Sequence, residues 1–256
     1  MLNKPRVTLI VAIAAIFITT VAFAGPIEDC KEYSRMGIPS KQGELLCRKG
    51  FLLAYSAERK TPLWVIEFLT ADKAQGKLPI DSKYQPDPDL KKGLRAERDD
   101  YQNSGYKMRQ MAHAAHMRWD KQAMEQSFYL SNIIPQSDRG RNQGIWKNFE
   151  ERLLHLAIDR GALYVFTGPI YEEGVMKTIG SNKVAIPTHI FKIIYDPYKV
   201  EAIALIMPNE ELQEANINHY IVTIRDIERK TGLNFLSNLD EQFRNVIENK
   251  KADARP

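Results

Sequence analysis

The sequence predicts an α+β chain whose strands pair antiparallel, and three observations carry that expectation. Phe51 to Tyr55 (FLLAY) and Leu63 to Leu69 (LWVIEFL) are apolar runs separated by the polar, proline-containing turn SAERKTP, which is a hairpin signal. Val184 to Tyr195 (VAIPTHIFKIIY) and Val200 to Met207 (VEAIALIM) repeat the pattern around Asp196-Pro197. Between the two pairs, Ile145, Trp146, Phe149, Leu153 and Leu156 recur at three- and four-residue spacing, an amphipathic helix that Gly161 is placed to end.

Taken from the start, residues 1–24 hold Lys4 and Arg6, then the run VTLIVAIAAIFITTVAFA, and end Ala22-Phe23-Ala24 before Gly25, the pattern of a cleaved signal peptide. An uncleaved membrane anchor is the alternative, because the run is nearly long enough to span a bilayer. Either way the remainder is exported, to the periplasm or out of the cell. Residues 25–50 read as an N-terminal arm. Cys30 and Cys47, the only two cysteines, lie in it and are expected to pair as a disulfide in an exported protein. Their spacing matches no zinc motif.

The next segments follow from local chemistry. Both runs of the first hairpin are near-continuously apolar rather than alternating, so they should be covered on both faces. Ala71 to Leu90, with Pro79, Pro86 and Pro88, lacks periodicity and should cross the surface as a loop. WDKQAMEQSFYLSN reads as a short helix entering a strand. Ala162 to Phe166 (ALYVF) reads as a buried strand broken by Thr167-Gly168-Pro169. HYIVTIRDIERKTGLNFL closes the domain with a strand and a short helix, and residues 244–256 form a polar tail. The domain proper is thus expected over 51–243. His155 and His189, in apolar surroundings, are expected in the core.

Composition narrows the function. With 256 residues and 44% hydrophobic content the chain can bury a full core, which excludes disorder. The formal net charge is +4, and Lys4 and Arg6 of the leader supply two of those charges, so net charge alone is no nucleic-acid signature. Local clustering is more informative. Lys91, Lys92, Arg95, Arg98, Lys107 and Arg109 crowd one stretch, although Glu97, Asp99 and Asp100 interleave and leave a solvated mixed-charge surface as the alternative.

Most candidate chemistry lies between Ser104 and Glu150. There FYLSNIIPQ, a polar loop and NQGIWKNFE closely resemble the metal-binding segment of the DNA/RNA non-specific endonucleases, the ββα-metal (His-Me finger) enzymes. PLWVIEFLT, LYVFTGPI, KVAIPTHIFKIIY, MPNEEL and TIRDIERKTGLNFL are similar to the endonuclease G-like branch of that family, and the resemblance covers about Phe51 to Leu239. It implies a central, mainly antiparallel sheet flanked by helices, with a ββα-metal element on one side. It also implies site residues. Asn142 falls on the family's single protein ligand for Mg²⁺, an ion that keeps most of its waters; Mn²⁺ is the alternative. As a plain helix residue, Asn142 would instead be an N-cap. Glu150 falls on the family's glutamate. Eight helical residues separate it from Asn142, about 12 Å, so Glu150 should act through water rather than grip the same ion. Asn132 falls on an asparagine near the scissile phosphate, or else is a buried strand-end amide.

The upstream phrase departs from the family. Where members show GYDRGHMAPAAD, this chain reads GYKMRQMAHAAH, from Gly105 to His116. Gln110 stands at the general-base histidine, and an amide cannot deprotonate water near neutral pH. Met108 stands at the phosphate-facing arginine, with Arg109 beside it as a substitute. On an extended strand His113 would face away from Gln110, and His116 would lie about 20 Å along, so only a bend returns either one. The phrase DRGR, Asp138 to Arg141, falls in the loop before Asn142, where the family has no catalytic residue. The leader therefore implies export, and the resemblance a Mg²⁺-dependent endonuclease acting on DNA, RNA or both, impaired by the missing base. The competing reading is an inactive relative that binds nucleic acid or a partner. A homodimer, and no stable membrane insertion after leader cleavage, complete the expectations.

Overall fold

The computed structural model describes residues 28–137, 142–172, 174, 176–210 and 217–252. The leader and the DRGR phrase lie outside them. In chain order the elements are α1 (Lys31–Ser34), β1 (Glu44–Cys47), β2 (Phe51–Ser56), β3 (Thr61–Thr70), α2 (Ala71–Ala74), β4 (Tyr106–Gln110), α3 (Lys121–Ser127), β5 (Ile133–Ser137), α4 (Asn142–Arg160), β6 (Ala162–Ile170), β7 (Thr178–Ile179), β8 (Val184–Ala185), β9 (His189–Asp196), β10 (Glu201–Pro208), β11 (Ile221–Val222), α5 (Ile224–Thr231) and α6 (Glu241–Asn249). Seven strands form one antiparallel sheet in the order β1-β2-β3-β6-β9-β10-β11. The fold is α+β with a large antiparallel sheet.

Alternation of side chains across the pleat gives this sheet two apolar faces. Val65, Leu69, Leu163, Val165, Ile190 and Ile194 pack on one side with Trp146, Phe149, Leu153 and Ala157 of α4. Trp64, Ile66, Tyr164, Phe166, Phe191 and Ile193 pack on the other with Ile224 and Ile227 of α5 and Ile247 of α6. Helix α4 ends where expected, since Gly161 takes φ +88° and its carbonyl accepts from Ala71 N at 2.7 Å. β4 and β5 form a separate antiparallel ribbon, Tyr106 opposite Ser137 through Gln110 opposite Ile133, and α4 follows it. Ribbon and helix together make the ββα unit.

Several boundaries differ from the sequence expectations. Glu44–Cys47 is not an arm but an edge strand of the main sheet, too short and too mixed in polarity to show a pattern. The disulfide between Cys30 and Cys47 is present, with a Cα–Cα distance of 5.8 Å, and ties α1 to that edge. β6 does not stop at Phe166. It runs to Ile170 because beyond Thr167 it pairs with β9 alone, where a proline is tolerated. A Cβ on Gly168 would stand 2.6 Å from the Phe191 ring and 2.8 Å from Leu63 O, so only glycine fits there. The tail expected from residue 244 is partly helix α6, capped by Asp240, with Ile247 and Glu248 buried. His155 is exposed on α4 and His189 is half-buried, so neither is a core histidine. The loop expected from Ala71 begins instead as the short helix α2, capped by Thr70, and only the remainder crosses the surface. Buried Asp87 anchors it, binding Arg48 at 2.6 Å and accepting from Ser131 Oγ.

Candidate active site

One carboxylate organises the polar residues of the ββα unit. Glu150 sits on α4 one position past Phe149, whose ring lies in the core, and its side chain is 2% exposed. Lys192 of β9 places Nζ 3.0 Å from both Glu150 oxygens. Arg109 of β4 donates from Nη2 to Oε1 at 3.2 Å and lies over the Trp146 ring at 4.6 Å. His116 brings Nε2 within 3.5 Å of Oε2, while its Nδ1 meets Glu67 Oε2 of β3 at 2.9 Å. Burial alone would raise the pKa of Glu150, but Lys192 first, then the imidazoles of His113 and His116 and the Arg109 guanidinium, hold it at about 2. The carboxylate is therefore ionised at neutral pH. Burial opposes charge on His116 too, yet Glu67, and after it Glu150, raise its pKa on balance.

Both histidines reach this site because the strand ends at Gln110. From Ala114 to Met117 the chain forms a 3-10 turn, with His113 as its N-cap accepting from Ala115 N at 3.3 Å. The His113 and His116 rings lie 5.8 Å apart, edge to face. The extended geometry that would carry them away does not persist past residue 110. Burial first, then His116, Arg109 and Lys192, push His113 down to about 3 against the pull of Glu150, so its ring is neutral.

Gln110 and Asn132 occupy the other side of the ribbon. Gln110 Nε2 donates to Ser127 O at 3.1 Å and Ser127 Oγ at 3.2 Å, and Oε1 accepts from Ala114 N at 3.2 Å. Asn132 accepts from Ala112 N at 2.8 Å and donates to Ala112 O at 2.9 Å and Ser127 O at 2.8 Å. These two buried amides hold the bend that returns the histidines. Asn142 is the first residue of α4, and its side chain lies outside the described part of the structure. Among the basic cluster, Arg95 is structural, binding Glu97 and the carbonyls of Asp87 and Leu90, while Lys91 and Lys92 are exposed.

Sequence reasoning missed Lys192 and Glu67. Each is a lone charge inside an otherwise apolar, buried strand, and that is the signal that finds them. Among the described residues no group of three or more His, Cys, Asp or Glu is arranged to hold a metal ion, and no helix is long and apolar enough to cross a membrane.

Comparison with known proteins places this geometry. The profile of the DNA/RNA non-specific endonucleases matches residues 31–242. Mitochondrial endonuclease G of Bos taurus is 33% identical over 222 residues, covering 81% of this chain and 74% of that one. Nuclease C1 of Cunninghamella echinulata var. echinulata is 31% identical over 221 residues, covering 80% and 88%. A crystal structure of an EndoG/EndoGI complex, described in terms of EndoG inhibition, superposes with a TM-score of 0.78 at 26% identity, covering 84% of this chain and 94% of that one.

Proposed function

Because the chain belongs to the DNA/RNA non-specific endonuclease family, we propose that it is an exported, metal-dependent endonuclease that hydrolyses phosphodiester bonds in DNA and RNA. Water adds to phosphorus and one P–O ester bond breaks, leaving a phosphomonoester end and a hydroxyl end. The observation that carries this reading is the cationic ring around Glu150. Arg109, on the ribbon and 13% exposed, is the member of that ring able to offset a phosphodiester's charge, while the buried Lys192 ammonium balances Glu150. The disulfide between Cys30 and Cys47 supports export, since such bonds persist in oxidising compartments.

The resemblance implies Mg²⁺, or Mn²⁺ in its place. Both Glu150 oxygens are already engaged, by Lys192, by Arg109 and by the nearby His116, so Glu150 can influence an ion only through water. Asn142 would be the protein ligand, as the resemblance implies, and waters would fill the remaining positions. Bound there, the ion would neutralise the phosphodiester and acidify a coordinated water. Glu150 fixes Arg109 and Lys192 in place, and Gln110 and Asn132 shape the turn that carries the histidines.

A nuclease gel with plasmid DNA and with RNA tests this. Cleavage is expected with Mg²⁺, none with chelator, and Asn142→Ala should lose both cleavage and calorimetric Mg²⁺ binding while keeping its circular dichroism. One observation favours a second reading, a non-cutting nucleic-acid-binding protein. Gln110 is not a base, and its amide N–H groups and oxygen bond to Ser127 and Ala114. Retarded but uncut DNA at every divalent ion tried would decide for that reading.

A further inference from the structure

Strand β4 sorts its side chains by face. Arg109 points toward α4, where it meets Glu150 and Trp146. Its neighbours Met108 and Gln110 must then point the other way. Met108 packs against the small core of Leu130 and Ile133, and Gln110 binds Ser127. The guanidinium and imidazole that the family resemblance assigns to positions 108 and 110 are thus missing from a face turned away from Glu150. The same two chemical groups reappear on the Glu150 face. Arg109 gets there by an offset of one strand position, which switches faces, and His113 by the bend after Gln110.

Two donors on that face have no protein partner among the described residues. Arg109 engages Glu150 through Nη2 alone, and its side chain is 13% exposed, leaving the remaining guanidinium N–H groups open. His113 accepts a backbone N–H at Nδ1, which fixes the neutral tautomer with the proton on Nε2. No group in the described chain accepts that proton. The His113 ring stands 5.8 Å from the His116 ring, which itself lies against Glu150, so the open N–H belongs to the same cluster.

We propose that Arg109 and His113 form the phosphate-binding pair of this site, with His113 giving its Nε2–H, and Arg109 a guanidinium N–H, to non-bridging oxygens of the scissile phosphodiester. This rests on the nuclease reading and deepens it. His113 passes no proton: it stays neutral and stabilises the negative charge that gathers on those oxygens as water attacks. A preorganised donor of this kind contributes on the order of 10²- to 10³-fold in rate.

The ring's two nitrogens suggest the test. In His113→Asn the side-chain oxygen can still cap the turn as Nδ1 does, but the donor at Nε2 is lost. In His113→Gln the longer amide returns an N–H near the Nε2 position. Rates on plasmid DNA would be measured for both, alongside His155→Ala on the exposed side of α4 as a control, with circular dichroism confirming the fold. Expected are a fall of about 100-fold in kcat for Asn, recovery to within about 10-fold of the natural protein for Gln, and no change for His155→Ala. Asn cleaving at the natural rate would overturn the proposal and leave the nuclease reading standing. Gln as inactive as Asn would also overturn it, since the imidazole would then be acting through a lone pair. If the natural protein cuts nothing at any divalent ion, the nuclease reading falls and takes the proposal with it. Arg109→Met, assayed for retention of uncleaved DNA in chelator, reads the other half of the pair: weaker retention is expected, and unchanged retention would remove Arg109 from it.

Discussion

Glu150 carries a full negative charge where burial would otherwise make a carboxyl neutral, and it does so only because the Lys192 ammonium, the imidazoles of His113 and His116 and the Arg109 guanidinium surround it. Removing the charge strands the partners instead. Glu150→Gln is expected to lose about 3–5 kcal/mol at pH 7, the usual penalty for breaking a buried pair from one side. The pH dependence has a definite sign. The folded pKa of about 2 lies below the ordinary 4.5, so this stabilisation is complete above about 4.5, fades as pH falls, and is gone once pH passes below the folded value. Urea midpoints of the natural protein and the variant should therefore converge between pH 5 and pH 2. A gap that stays constant over that range would mean that Glu150 is not ionised in the folded chain.

At the level of elements, helices α5 and α6 meet over an unbalanced set of charges. Arg225 pairs with Glu228 at 2.7 Å and with Glu248 at 2.8 Å, one guanidinium for two carboxylates. Burial, then repulsion from Glu228, raises Glu248 to about 7 despite Arg225 and Arg244. A carboxyl whose folded pKa exceeds 4.5 weakens the fold as pH rises through that interval, and the loss levels off above the folded value. Glu248→Gln should therefore melt near the natural protein at pH 4.5 and at a higher temperature at pH 8, measured by thermal circular dichroism; equal melting at pH 8 would count against this reading of the interface. Elements of this kind were also the least legible in the sequence. The long strands and α4 announce themselves because burial on two faces, or on one helical stripe, demands an apolar pattern. α6 and β1 do not, since each buries little and is held by a cap or a cystine rather than by periodicity. The site divides the same way. Arg109 and Glu150 could be named from local phrases, whereas the ring they join depends on Lys192 and Glu67, distant in sequence, and on a turn that no strand pattern foretells.

On the scale of the whole molecule, the ends of the chain close one face of the sheet. α1 near the start and α5 and α6 near the finish cover the same layer, and the cystine fixes α1 to the edge strand β1. Replacing both cysteines by serine should cost roughly 3 kcal/mol, the chain-entropy value for a loop of this size, read as a lower urea midpoint under oxidising conditions. An unchanged midpoint would mean that packing alone holds this corner. Further along the sheet, Thr167 stands opposite Lys192, and the next pair is Gly168 with Phe191, whose ring lies on the α5 side. Gly168 works there as a keyway for the Phe191 ring. Slide β6 by one residue along β9 and either neighbouring side chain would strike that ring. The same slip taken up by β9 would rotate Lys192 to the α5 side of the sheet and leave the Glu150 oxygens without their ammonium. A position with no side chain thus helps decide which charge reaches α4.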